Sequence, residues 1–150
     1  MEIRKGTLKD LEAIAAVEAA CFPAAEAATA EEFAERLWEG ERLLAFVDGF
    51  CTDWPDLTDE MYADASLHRE NGAWQMIFGV NTIPACRRQG YAGQLLQQAI
   101  ADARAQGRKG LVLTCKEALV HYYAKFGFVN EGVSGSTHGG VVWYQMRLKF

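Results

Sequence analysis

The stretch Arg87-Arg88-Gln89-Gly90-Tyr91-Ala92-Gly93 puts two guanidinium groups and a glycine-bearing turn directly before a run with helical periodicity. A turn of that kind aims several unpaired backbone N–H groups at one point, with the positive end of the helix dipole behind them. Such a point attracts an anion, and two arginines at its lip add charge-assisted donors suited to phosphate oxygens. The spacing is neither a GxGxxG turn nor a Walker loop, which removes the main support for a dinucleotide or a nucleoside triphosphate. A surface loop in which glycine merely relieves a turn is the competing reading of these residues.

The elements that must position this loop are read from periodicity. Trp74 to Ile83 is a near-continuous apolar strand that Pro84 ends, because proline cannot donate to a ladder. After the loop, Ala92, Leu95, Leu96, Ala99, Ile100 and Ala103 fall on one helical face, with Gly107 closing the helix. Leu111 to Cys115 reads as a strand, Glu117 to Lys125 as a helix closed by Gly127, and Val141 to Phe150 as a last strand alternating around Trp143 and Met146. A strand-helix-strand crossover requires a parallel pair, so the class is mixed α/β, with a largely antiparallel first half. In that half Glu2 to Lys5 is a short strand candidate, and Thr7-x-x-Asp10 is a capping box for a helix carrying Leu11, Ile14 and Val17 inward. Thr29-x-x-Glu32 opens a second helix with Phe33 and Leu37 one turn apart, stopped at Gly40. Arg42 to Val47 and Phe50 to Trp54 flank Asp48-Gly49, a strong hairpin signal. The acidic run Pro55 to Gly72 predicts a short helix near Thr58 and a mobile loop.

In order and spacing, the strand ending at Pro84, the loop, the amphipathic helix, the next strand and Tyr123-x-Lys125-x-Gly127-Phe128 resemble the GNAT acetyltransferase superfamily. Three segments look like its arylalkylamine N-acetyltransferase branch: Ser66 to Gly72, Arg87 to Gly90, and Leu113 to Tyr123. The resemblance covers nearly the whole chain, and the first helix with Glu18, Cys21 and Phe22 also fits. It implies one acetyltransferase domain over residues 1–150, with a splayed mixed sheet of about six or seven strands and about four helices. It implies acetyl-coenzyme A as co-substrate and no metal. Its pyrophosphate would lie on Arg87, Arg88, Gln89, Gly90, Tyr91, Ala92 and Gly93, and the edge at Val80, Asn81 and Thr82 would also hold it. Lys125 is placed near the phosphates, with a solvated lysine the alternative.

The implied chemistry is attack of a primary amine on the thioester, which sets three needs. An amine of pKa near 10.4 is held neutral at pH 7 at a cost of roughly 4.6 kcal/mol, so a base or water chain must help. The thioester oxygen needs a donor, for which a backbone N–H around Phe78 to Val80 is suited. The departing thiolate needs a proton, and Tyr123 stands where the family pattern puts a tyrosine, with Tyr122 a packing residue and His121 a surface one. The related branch carries two strand histidines, two positions apart, where this chain has Met76 and Phe78. Neither accepts a proton, which leaves Glu18, His68 and ordered water as bases. Met76 and Phe78 read instead, with Phe22, as walls for an apolar or aromatic part of the substrate.

Composition narrows the remaining classes. At 150 residues, 50% apolar and 23% charged, the chain is long enough for one full core and too aromatic for disorder. Residues 1–80 carry six Lys/Arg against seventeen Asp/Glu, and residues 81–150 carry nine against three. That split fits anion handling in the second half and cation preference in the first, or solvated helix faces. A sequence pI of about 5.2 disfavours nucleic acid. The N-terminus lacks a leader's apolar stretch and no run is long enough to span a bilayer, so a cytoplasmic protein without membrane partners is expected. Cys21, Cys51, Cys86 and Cys115 have no metal-type spacing and read as reduced thiols. The reading is an N-acetyltransferase for a small-molecule amine; a catalytically weak acetyl-coenzyme A-binding module, or an enzyme for a protein or peptide amine, are the alternatives. A homodimer is one assembly that the resemblance allows.

Overall fold

A computed structural model of the protein describes residues 2–21 and 43–150. The described residues hold α1 (Leu11–Cys21), β1 (Ala45–Thr52), α2 (Glu60–Ala63), β2 (Trp74–Thr82), α3 (Tyr91–Ala105), β3 (Gly110–Cys115), α4 (Glu117–Ala124), β4 (Val129–Val133) and β5 (Tyr144–Lys149). The sheet has the order β1-β2-β3-β5-β4. By contacts the chain divides into two compact units, one of residues up to Val47 with Val80–Leu96, the other of Asp48–Gly79 with Gln97–Phe150. The mixed α/β class holds, with five strands among the described residues where six or seven were expected.

Two expected strands account for the difference. Residues 2–7 form no regular element. Asp48-Gly49 is not a hairpin turn: β1 runs straight through it. A Cβ on Gly49 would collide with the main chain of Met76, so glycine serves there to let two strands approach. The second expected helix, with Phe33 and Leu37, falls outside the described residues, as do Phe22 and Arg42.

In the first unit, Val17 of α1 packs with Phe46 and Ile83, and Ile14, Cys21, Leu43 and Leu44 lie against them. Leu11, expected to point inward, is 56% exposed. The helix is preceded by a 3-10 turn, Leu8–Asp10, whose Asp10 carboxylate accepts the Thr7 N–H at 2.7 Å and two Arg4 bonds at 2.9 and 2.8 Å. The Arg4 guanidinium, then Thr7, hold that carboxyl well below the usual carboxylate range.

In the second unit β3 is central. It pairs in parallel with β2 from Trp74↔Gly110 to Ile77↔Leu113, as the crossover required. On its other side it pairs antiparallel with β5 through Cys115↔Tyr144. Phe50, Leu57, Met61, Trp74, Met76 and Val112 form the core, so the acidic run expected to be partly mobile is anchored by Leu57 and Met61. Arg147, 7% exposed, meets Asp56 at 2.6 Å and Glu131 at 2.8 Å, and its guanidinium lies 4.8 Å over the Trp74 ring. All four cysteines are free thiols.

Candidate active site

The anion loop stands in the first unit. After Pro84 opens a short 3-10 turn, Arg88 takes φ +61° and Gly90 φ +84°, both left-handed, before α3 begins at Tyr91. The first bond of the helix runs from the Gln94 N–H to the Gly90 carbonyl at 3.1 Å. From Arg88 to Gly93, therefore, the backbone N–H groups have no acceptor among the described residues. Alternating left- and right-handed residues turn such groups into one concavity, which binds anions. The Arg88 guanidinium has no ion pair among the described residues, and Arg87 donates weakly to the Thr82 carbonyl at 3.4 Å. Gln89 accepts from the Tyr91 hydroxyl at 3.1 Å. Val80, Asn81 and Thr82 end β2, and the Thr82 carbonyl also accepts from the Cys21 thiol at 3.4 Å.

The second unit carries the tyrosine. Tyr123 of α4 is 8% exposed, set edge-on to Phe128 at 6.2 Å and to Tyr122 at 5.2 Å. Its hydroxyl makes no hydrogen bond among the described residues, a costly state for a buried polar group. Burial, reinforced by Cys115 and Tyr122, pushes its pKa far above the ordinary tyrosine range, so it remains a proton donor. Burial also raises the Cys115 thiol to about 11, which makes that thiol inert.

Near Tyr123's neighbour Cys115, β2 and β3 part. Their ladder stops at Ile77↔Leu113, while β3 continues through Thr114 and Cys115. Tyr62 of α2 touches both strands: its ring lies 4.7 Å from that of Phe78, and its hydroxyl is hydrogen-bonded with the Thr114 side chain. Phe78 is half-buried against Phe50 as well, at 4.9 Å, whereas Met76 has no exposed surface at all and belongs to the core. Lys125 caps the end of α4 and is exposed, as are Glu18 and His121.

His68 is not poised as a base. Its Nδ1 accepts the Cys51 backbone N–H at 3.2 Å, which places the proton of the neutral ring on Nε2, 3.2 Å from Glu70. Sequence reasoning missed Tyr62 and His138, which stack with ring centroids 6.2 Å apart. Neither position stands in a recognisable spacing; they meet only through the fold.

The family model described as an acetyltransferase (GNAT) domain matches residues 2–129. The chain belongs to the GNAT acetyltransferase family. This GNAT chain is 31% identical over 111 residues to a serotonin N-acetyltransferase of Mesocricetus auratus, covering 73% of itself and 52% of that protein. It thus spans about half the length of that curated relative. The solved "GphF GNAT-like decarboxylase in complex with isobutyryl-CoA" superposes with a TM-score of 0.74 at 19% identity, over 99% of both chains. The ribosomal-protein-S18-alanine N-acetyltransferase from Escherichia coli superposes with a TM-score of 0.66 at 19% identity, over 99% of this chain and 92% of that one. At such identities the likeness is one of fold. Among the described residues no group of three or more His, Cys, Asp or Glu side chains is placed to hold a metal ion, and no helix is long and apolar enough to cross a membrane.

Proposed function

We propose that residues 1–150 act as one acetyltransferase domain that moves an acetyl group from acetyl-coenzyme A to the primary amine of a small molecule. The observation that carries this reading is the Arg88–Gly93 run of unpaired N–H groups, curled by left-handed residues under two arginines. Its donor set fits a pyrophosphate: many directed N–H groups, a helix N-terminus and guanidinium charge. Arg87, Arg88 and the N–H groups through Gly93 would hold it, with Val80, Asn81 and Thr82 along the adjoining strand end.

Acetyl-coenzyme A, when bound, supplies the activated thioester carbonyl. The chain's own residues do the rest. Backbone N–H groups of β2 beyond Ile77, no longer paired to β3, polarise the carbonyl oxygen. Phe78 and the Tyr62 ring wall the acceptor, with Met76 behind them in the core and Phe22 outside the described residues. Tyr123 would offer its protonated hydroxyl to the departing sulfur. Because its pKa stands far above that of a thiol, near 8.5, full transfer of its proton would be uphill, and it acts as a hydrogen-bond donor to the thiolate.

Release of free thiol from acetyl-coenzyme A, followed across a panel of primary amines with phenethylamine first, tests the reading. Amine-dependent thiol release with an N-acetylated product by mass spectrometry is expected. Tight binding of acetyl-coenzyme A with no turnover of any small amine, but turnover of peptide N-termini, would move the acceptor class to proteins.

A further inference from the structure

The chain has three histidines, His68, His121 and His138. Both ring nitrogens of His68 are engaged, and His121 lies two residues before Tyr123 on α4, on a face that residues so spaced do not share. His138 is different. It stands in the connection between β4 and β5, is exposed, and its ring nitrogens make no hydrogen bond among the described residues. Its ring lies nearly parallel to Tyr62, at 10° and 6.2 Å. Tyr62 in turn bridges the two strands where they part, with its ring on Phe78 and its hydroxyl bonded to Thr114. His138 is therefore one ring away from the parting.

The connection is held in that place. Asp59, just before α2, accepts the Ser136 hydroxyl at 2.5 Å and the Thr137 N–H at 3.0 Å, and the Trp143 indole donates to the His138 carbonyl at 2.8 Å. Among the described residues the Asp59 carboxylate interacts with this ring and the Tyr62 phenol stacks on it, and Asp48 of β1 acts on that same phenol. Two carboxylates and an imidazole around this pair of rings suit an incoming ammonium: the acids favour its charge, and the imidazole accepts its proton.

We infer that His138 is the base that deprotonates the acceptor amine, in a chain whose strand positions Met76 and Phe78 supply none. The inference rests on the acetyl-transfer reading above. An N–H proton passes from the ammonium to an imidazole nitrogen of His138. The freed lone pair forms the N–C bond, the C–S bond breaks, the nitrogen's surplus proton ends on the thiolate, and the imidazolium returns its proton to water. The net products are the N-acetyl amine, the free thiol and one proton.

The test is the pH profile of kcat/KM, from pH 5.5 to 10.5, for the best amine of the panel. With a base of the protein acting on a bound ammonium, the wild type is flat through neutral pH to about 10, where the amine itself loses its proton. His138→Gln has no such base and depends on the neutral amine, so its rate climbs with unit slope up to about pH 10. At pH 7.5 the variant is expected to lose about 10²-fold or more, the usual contribution of a general base, and the gap closes towards pH 10. Added imidazole should restore part of the rate to His138→Ala, while acetyl-coenzyme A affinity stays that of the wild type in both. A His138→Gln profile superimposed on the wild-type one overturns the assignment and leaves the acetyl-transfer reading standing. Absence of thiol release from the wild type with every amine overturns both.

Discussion

Tyr123→Phe separates catalysis from packing, because the structure assigns opposite signs to the two effects. The substitution keeps the ring, its edge-on contacts with Phe128 and Tyr122, and its burial, and removes only a hydroxyl that has no partner among the described residues. Burying an unsatisfied polar group costs about 1–3 kcal/mol, so the variant should be more stable by up to about that amount. For a chain of this size each kcal/mol is worth about 2–4 °C in Tm. The rate should move the other way. Since burial keeps the phenol protonated, what is lost is a hydrogen bond to a charged sulfur, about 1.5–3 kcal/mol, or about 10- to 150-fold in kcat. The KM for acetyl-coenzyme A should barely change. For the same reason no ionisation of an ordinary tyrosine near pH 10 should come from Tyr123 in the wild-type profile. Thermal melting beside steady-state kinetics gives both numbers, with Tyr122→Phe as control. A Tyr123→Phe variant with unchanged kcat, whatever its Tm, refutes the role.

Three further outcomes are expected. At Gly90, φ +84° with only the Gln94 amide 3.9 Å from an added Cβ, strain rather than collision decides the effect. Gly90→Val should therefore lose acetyl-coenzyme A binding by about 10²-fold or more as N–H groups turn away, and Gly90→Asn should keep most of it; equal affinities by calorimetry would contradict this. Arg147→Met strands Asp56 and Glu131 and should cost about 3 kcal/mol in urea unfolding, at the low end for a broken buried pair because both acids keep some solvent; a change under about 1 kcal/mol would refute it. Asp10, Asp59 and Glu131 all have pKa values lowered in the folded state by their hydrogen-bond donors. Their contribution is therefore complete above the unfolded values, near pH 4, and is lost as pH falls below them, so Tm should drop between pH 5 and 3; a flat Tm there would contradict the sign.

The crossover was legible because its signals are local. An apolar strand closed by Pro84, a change of period at Gly90 and the six apolar positions of α3 depend on residues near one another in sequence, as does the anion loop. Asp48-Gly49 misled because the same dipeptide serves two physical needs. Its usual use is a tight turn, but here the glycine clears the way for the Met76 main chain, a neighbour distant in sequence. Leu11 misled because helical spacing says which residues share a face, and α1 buries Val17 without burying the turn before it. Tyr123 was read from its motif, but the burial that shifts its ionisation is a property of the fold. Tyr62 and His138 stand far apart in sequence and have no motif, so their stacking could not be read before the fold was known.

The short ladder between β2 and β3 also bears on how the molecule assembles. The antiparallel pair β4 and β5 is joined by a local connection, and β5 extends along all of β3. The parallel seam joins residues on either side of the whole α3 crossover, yet it is secured over only Trp74 to Ile77. Long loops closed for few contacts form late and open early. Amides of β2 in that seam are thus expected to exchange with solvent through a smaller opening than those shared by β3 and β5. The seam beside which acyl transfer would take place is then looser than the one between β3 and β5, and an occupant of the parting would show itself by slowing exchange there first.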